Sequence, residues 1–328
     1  MIHDALFWSK ENERIRCRLC PHNCLIAEGK AGLCSVRVNK NGTLKTENYG
    51  MITAMAVDPI EKKPLYHFKP GTRILSVGSF GCNFFCGYCQ NYHISRFHSK
   101  SEFLPPEQLA ASSSAPSNNI GIAFTYNEPS IWYEYVYDTS VKLKEMYPRM
   151  KIVLVTNGYI ELEALEKLLP YVDAMNIDLK SMKKDFYHKV CGGQLQNVLN
   201  TIEASFGRCH VEVTTLLVSG LNDSEAEAEK IALYLSSLDR NIPLHFSRYY
   251  PAYKMSLPAT DIEVMIRAKE AAKKHLNYVY LGNIPNADCS SYCHQCGKLL
   301  VQRMGFSAKS FIEEPVCPQC NSKIPFIL

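Results

Sequence analysis

The stretch Gly81-Cys82-Asn83-Phe84-Phe85-Cys86-Gly87-Tyr88-Cys89 follows directly on a β-rich run at 74–79, and its placement decides how the middle of the chain is read. Three thiols at C-x3-C-x2-C spacing can hold three irons of a cubane. The fourth iron then lacks a protein ligand, which is the open position a catalytic metal site requires. The residues that follow, Gln90-Asn91-Tyr92-His93, bring no fourth cysteine. A zinc knuckle short of one ligand is the alternative. Phe84, Phe85 and Tyr88 are expected to shield the metal from water. Outward from this loop, strand-like runs lie at 74–79, 120–126, 152–157, 174–179, 211–218 and 243–247, with a seventh at 278–281. Helical patterns at 132–147, 162–169, 195–206, 224–238 and 261–275 alternate with them. Ser224 and Glu227 are spaced for a capping box. Strands alternating with helices imply parallel pairing through right-handed crossovers. The prediction is an α/β fold, a partial or full (β/α) barrel, with a doubly wound open sheet as the alternative. In a barrel, chemistry gathers at the C-terminal ends of the strands, where this loop falls.

Around that core the composition changes twice. Residues 1–70 are cysteine-bearing with few periodic runs, 71–285 form the alternating barrel region, and 286–328 are short, cysteine-rich and turn-rich. The stretch AASSSAPSNN at 110–119 is of low complexity and is expected to be a surface loop. Basic and acidic residues nearly balance, 36 against 32, which argues against nucleic acid or an anionic membrane as partner. No apolar run approaches the roughly 18 residues of a membrane span. The start, MIHDALFWSKENER, lacks the pattern of a secretory signal. The expectation is a soluble, cytoplasmic protein. Fourteen cysteines, most of them clustered, then point to metal thiolates rather than disulfides.

The motif with an aromatic, Tyr88, just before its last cysteine resembles the signature of the radical-SAM superfamily. The resemblance implies a [4Fe–4S] cluster on Cys82, Cys86 and Cys89. It also implies S-adenosylmethionine (SAM) chelating the open iron, with backbone at Tyr88 contacting its adenine. Later strand ends supply further candidates. Asn127 and Glu128 lie in Tyr126-Asn127-Glu128-Pro129, where the family binds the SAM ammonium; an acid at a helix N-terminus explains Glu128 equally simply. Asn157 ends the next strand. Asp178 and Lys180 share a face two residues apart and look like the DLK motif of glycyl-radical-enzyme activases, which contacts ribose and methionine carboxylate. His245 matches a SAM-contacting histidine of those activases, though a lone strand histidine is more often a core residue. The strings Asp58-Pro59-Ile60-Glu61-Lys62-Lys63-Pro64-Leu65-Tyr66-His67-Phe68 and Phe246-Ser247-Arg248-Tyr249-Tyr250-Pro251-Ala252-Tyr253-Lys254-Met255 extend the similarity over nearly the whole chain. They are similar to the radical-SAM enzyme of the AmmeMemoRadiSam system, itself related to pyruvate formate-lyase activating enzymes.

Two cysteine sites flank the barrel. Cys17, Cys20, Cys24 and Cys34 can close a zinc site or hold an auxiliary cluster, with His22 as a possible substitute ligand. Cys293, Cys296, Cys317 and Cys320 match a zinc ribbon. Cys289, Cys293 and Cys296 repeat the C-x3-C-x2-C spacing, but Gln295 replaces the aromatic and the second knuckle competes for two of the thiols. Cys191, before Gly192-Gly193, is either a packing residue or a redox thiol near the active face. The function expected is reductive cleavage of SAM to methionine and a 5′-deoxyadenosyl radical that takes hydrogen from a small-molecule or protein substrate. An external one-electron donor of flavodoxin or ferredoxin type would supply the electron. A glycyl-radical-enzyme activase and a non-enzymatic zinc-binding module are the alternatives.

Overall fold

Seven parallel strands stand side by side in the order in which the chain makes them. They are β2 (Arg73–Gly78), β3 (Asn119–Phe124), β4 (Lys151–Thr156), β5 (Ala174–Asp178), β6 (His210–Leu217), β7 (Leu244–Arg248) and β8 (Val279–Gly282). A strand missed by the sequence reading, β1 (Ala54–Pro59), pairs antiparallel with β2. The computed structural model describes every residue except Met1, His98, Ser117 and Asn286. Asn286, the predicted first residue of the tail, thus lies outside the described residues, as does Ser117 within the predicted 110–119 loop. A strand order without reversal excludes the doubly wound sheet, which needs a switch point. Among the described residues β1 and β8 do not pair, so the barrel is partial.

The parallel strands are buried almost throughout, as sheets covered on both faces must be. Helices α1 (Pro106–Ser114), α2 (Tyr133–Met146), α3 (Leu162–Leu168), α4 (Leu195–Ser205), α5 (Glu225–Leu238) and α6 (Ile262–Lys273) form the crossovers. Helix α1 corrects the predicted loop, because residues 110–114 are helical. Leu109 and Ala110 are buried, and Ser112, Ser113 and Ser114 turn their hydroxyls back onto carbonyls of the preceding turn. The capping box at α5 is half formed. Ser224 Oγ accepts from Glu227 N at 3.3 Å, but the Glu227 carboxylate binds Ser181 Oγ and Met182 N instead.

The bottom of the barrel is plugged from within. After β1 the chain makes a 3-10 turn, Ile60–Lys62, and then Leu65 and Phe68 pack with Ile60 against Ile74, Ala123, Val153 and Ala174. Asn176 Nδ2 donates to Pro64 O at 2.7 Å, tying the plug to β5. Tyr66 then meets His245 and Tyr280 at ring distances of 4.7 and 4.8 Å. The apolar plug fills the lower barrel beneath the strands' C-terminal ends.

Two small-sheet regions flank this core. Residues of the amino-terminal one form a sheet of His3–Asp4, Arg37–Lys40 and Thr43–Thr46, and another of Trp8–Glu11, Arg14–Cys17 and Leu25–Ile26. Its anchor is a buried ion pair, Arg37 Nη1 to Glu134 Oε1 on α2 at 2.9 Å. The tail forms a sheet of Ser291–Tyr292, Leu299–Met304 and Ser307–Ser310 with its own core of Leu300, Val301, Ile312, Ile324 and Phe326.

Candidate active site and metal centres

A cavity of about 620 Å³ opens at the C-terminal ends of the strands. Cys82, Cys86 and Cys89 line it together with Tyr88, Asn127, Glu128, Asn157, Asp178 and Lys180. All the predicted barrel-site residues except His245 therefore meet around one space. Phe84 and Tyr88 are buried, as expected, but Phe85 is 40% exposed. It lies beneath the Arg96 guanidinium at 4.4 Å rather than over the thiols.

The loop is held from several sides. Arg96 Nη2 donates to Cys82 O at 2.6 Å and also to Phe84 O. Asn157 Nδ2 donates to Asn83 Oδ1 at 2.8 Å and lies 3.8 Å from Cys82 Sγ. Asn127 ties the loop's entry to β3, accepting from Ser79 N and donating to Gly81 O at 3.1 Å. Gly193 lets the chain pass behind the loop: a Cβ there would meet the Phe84 ring at 2.3 Å. The π-helical turn Tyr187–Cys191 precedes it, and Cys191 O accepts from Phe85 N at 2.7 Å. Cys191 is buried beside Cys86, with its sulfur 3.7 Å from Tyr88 Oη. Its side chain thus touches the loop rather than packing away from it.

Glu128 is buried and held by three donors. Its carboxylate accepts from Ser130 N at 2.9 Å, Thr156 Oγ1 at 2.6 Å and Asn157 N at 2.7 Å. Burial pushes its pKa up against those donors, so desolvation prevails. The helix-cap role considered from the sequence is present, while the side chain still borders the cavity. Lys180 Nζ and Asp178 Oδ2 pair at 2.9 Å on the cavity wall. Lys62 and Lys63 add two cations. Lys63 is buried, paired with Asp58 Oδ2 at 2.8 Å and set 4.8 Å over the Tyr126 ring. Burial lowers the Lys63 pKa despite Asp58. His245 sits two residues below Ser247, which does line the cavity. Its Nε2 meets Glu212 Oε2 at 2.6 Å, and Glu212 also binds His210 and the His67 amide. In this structure His245 belongs to a buried network under the cavity floor. Arg96, Lys62, Lys63 and Asp58 were not singled out as site residues; only the two lysines and the aspartate fell in a string noted for its likeness to a family.

The tail thiols are drawn together. Cys293 Sγ and Cys320 Sγ lie 3.7 Å apart, Cys296 Sγ and Cys317 Sγ 3.6 Å. Four sulfurs about 2.3 Å from one tetrahedral ion sit about 3.8 Å from each other, so these residues fit a single metal ion. Cys289 stays out, its thiol directed to Leu281 O at 3.1 Å. The overlapping C-x3-C-x2-C spacing is thereby dissolved. A larger cavity, about 930 Å³, lies between the end of β8 and the tail hairpin and holds none of the loop thiols. No helix among the described residues is long and apolar enough to cross a membrane.

Comparison with known proteins agrees with this geometry. The Radical SAM superfamily profile matches residues 76–235. The chain is 41% identical to uncharacterized protein MJ0808 of Methanocaldococcus jannaschii over the full length of both. It is 30% identical to the putative glycyl-radical enzyme activating enzyme MJ1632 of the same organism, over 62% of this chain and 79% of that one. Streptococcus suis SuiB bound to S-adenosylmethionine shares the fold, with a TM-score of 0.51 and 12% identity over 64% of this chain and 52% of that one. With a partial (β/α) barrel, a three-thiol loop at its mouth, the matching superfamily profile and a 30% identical activating-enzyme relative matched over 79% of its length, the chain belongs to the radical SAM superfamily of enzymes.

Proposed function

We propose that Cys82, Cys86 and Cys89 hold a [4Fe–4S] cluster whose open iron takes SAM in the adjoining cavity. The observation that carries this reading is that three thiols from one loop share a single cavity with polar residues on or just after five successive strands. When bound and reduced by an external one-electron donor, the cluster supplies the electron that splits SAM into methionine and a 5′-deoxyadenosyl radical. The chain's own residues orient and insulate. Lys180, held by Asp178, offers an ammonium to a carboxylate, and Asp178 keeps a free lone-pair side for a hydroxyl. Asn157 aims its amide at Cys82 and tunes the thiolate through a hydrogen bond. Phe84 and Tyr88 keep water from the loop. Glu128, held in place by three donors, offers its negative charge and the remaining acceptor site on Oε2 to a SAM ammonium. His245 acts on this site through Glu212 and the floor beneath it. Zinc is the ion assigned to the tail thiols. In this reading residues 1–70 and 286–328 are accessory metal-binding regions around a catalytic barrel at 71–285.

Anaerobic assay with SAM and dithionite tests the assignment. Cys86→Ala is expected to abolish 5′-deoxyadenosine formation while leaving tail zinc in place. Product formation retained in that variant would overturn it. A second reading, a glycyl-radical-enzyme activase, is favoured by the likeness to the putative activating enzyme over most of its length. A glycyl-radical EPR signal raised in a candidate partner would select it over a small-molecule substrate.

A further inference from the structure

The two four-cysteine sites differ in a way that bears on what they hold. Among the described residues, the tail thiols are the one group of three or more His, Cys, Asp or Glu whose ligand atoms all lie within 4.8 Å of one another. The barrel-loop thiols are wider than that. So are Cys17, Cys20, Cys24 and Cys34, although Cys20 lies within electrostatic reach of all three others. A single tetrahedral ion draws four sulfurs to about 3.8 Å. A cubane binds each thiolate at a separate iron and spreads them further. By this measure the amino-terminal set is built like the barrel loop and unlike the tail.

Its position adds a second argument. His22, between Cys20 and Cys24, meets Asn83 O through Nε2 at 2.7 Å. Cys34 O lies 2.9 Å from where a Cβ of Gly81 would stand, and Gly81 has φ +87°. Gly81 and Asn83 flank Cys82, so the amino-terminal site grips the barrel loop on both sides of its first ligand. The rings of His22 and Tyr159 (5.0 Å) and of Tyr159 and Phe84 (4.9 Å) fill the space between. Cys17, Cys20 and Cys34 are buried, and Cys24 is half-buried. The buried Arg37, electrostatically coupled to Cys17 and Cys34, keeps an Nε–H without a hydrogen-bond partner, a donor left beside a thiolate set.

We infer that Cys17, Cys20, Cys24 and Cys34 hold a second iron–sulfur cluster that serves as the electron entry to the barrel cluster. The inference rests on the barrel reading above. One electron leaves a flavodoxin- or ferredoxin-type donor, reduces the amino-terminal cluster, and passes across the His22–Asn83 contact to the barrel cluster. The donor is oxidised by that one electron and no bond is made or broken.

Metal, sulfide and EPR analysis of the anaerobically purified full chain tests this. About eight iron and eight sulfide with one zinc per chain are expected, two cubanes and one tetrahedral ion. Cys20→Ser is expected to halve the iron and leave the tail zinc unchanged. Reduction of the remaining cluster by a flavodoxin-type donor should slow at least tenfold, while dithionite still reduces it. Two zinc and about four iron in the wild-type chain would overturn the cluster assignment. An unchanged rate with the protein donor would overturn the entry role. Should Cys20→Ser fail to fold, Cys24→Ser at the half-buried position and the spin count of the reduced wild type decide the same question. The triple variant Cys82→Ala, Cys86→Ala, Cys89→Ala separates the two readings. It should keep about four iron on the amino-terminal site, whereas failure of the barrel reading appears as a wild-type EPR signal that SAM does not change.

Discussion

Each accessory region carries a four-cysteine set, yet the fold uses the two sets at opposite ends. The amino-terminal region lies at the end of the barrel that carries the three-thiol loop. It touches the barrel loop through His22, and it is tied to α2 by Arg37 and Glu134. The tail runs down the open edge of the barrel, from Cys289 against the end of β8 to Phe326 stacked on His67 at 4.0 Å. One region adjoins the three-thiol loop and is stapled by a buried charge pair; the other adjoins the barrel floor and draws its own thiols into a compact cage. The lesson is that cysteine count and spacing alone do not assign a role. What a thiol set sits against, and how far apart its sulfurs are held, does.

The largest effect is expected where a region has the least core of its own. Tail residues 291–328 bury only a few apolar side chains. Metal binding is worth roughly 10–16 kcal/mol to zinc-finger peptides, so a metal held by the tail thiols would outweigh that small core. Cys317→Ser should release the tail metal and unfold the tail, read as zinc loss and rapid proteolysis beyond about residue 290, while the barrel-loop iron remains. Equal protection of the tail in variant and wild type would mean that its small core suffices.

The amino-terminal staple comes next. Arg37 and Glu134 are both buried, and Glu134 also accepts from Leu6 N at 2.7 Å. Glu134→Ala strands a buried guanidinium, which costs about 3–5 kcal/mol. Chemical denaturation of the anaerobic protein should show that loss, with the first 50 residues opening to hydrogen exchange before the barrel. Glu134→Gln should recover part of it by keeping the acceptor. A loss under about 1 kcal/mol would place the pair with ordinary surface bridges.

Between the two regions lies the loop that only the amino-terminal one touches. Gly193→Ala drives a methyl into the Phe84 ring. Overpacking of this kind costs about 1–3 kcal/mol. The expected result is reduced iron occupancy at the barrel loop and unchanged zinc in the tail. Unchanged occupancy would show that Phe84 yields freely.

Most of this architecture is legible in the sequence for a simple reason. Buried parallel strands are continuous apolar runs, and the helices between them keep their periodicity, so each of the seven strands falls within a residue or two of its expected place. Strand β1 was not, because Ala54–Pro59 is only partly buried and lacks either period. Helix α1 was missed because its serines read as a linker until their hydroxyls are seen bonded to the preceding turn. At the site, thiol spacing carried the signal for Cys82, Cys86 and Cys89. His245 was harder to place: its two-residue offset from Ser247 puts it on the cavity's face but one layer deeper, a distinction of depth that periodicity cannot express. Arg96 acts through carbonyls 12 and 14 residues away, and Lys63 lies over a ring 63 residues away, contacts that no local pattern distinguishes from those of solvated cations.

The last effect, an acid sensitivity absent at neutral pH, concerns how the tail meets the floor. His67 is fully buried. Its Nε2 meets Tyr280 Oη at 2.7 Å and its Nδ1 meets Pro325 O at 3.2 Å. A carbonyl can only accept, so Nδ1 carries the proton and Nε2 accepts from the tyrosine in the neutral ring. Burial lowers the His67 pKa to about 3; Glu212 works the other way, while His210 and Arg303 add to the lowering. The unfolded histidine titrates near 6.5. Below that pH the unfolded chain takes up a proton that the folded chain refuses. The stability conferred by neutral His67 is therefore complete above about pH 6.5 and declines by up to about 1.4 kcal/mol per pH unit toward pH 3. His67→Phe keeps the stack on Phe326 and removes the titration. Between pH 6.5 and 5, before most carboxylates protonate, its thermal midpoint should fall less steeply than that of the wild type. At pH 7.5 the variant should be the less stable, having lost two hydrogen bonds. Parallel slopes in the two proteins would transfer the acid sensitivity of the tail to another group.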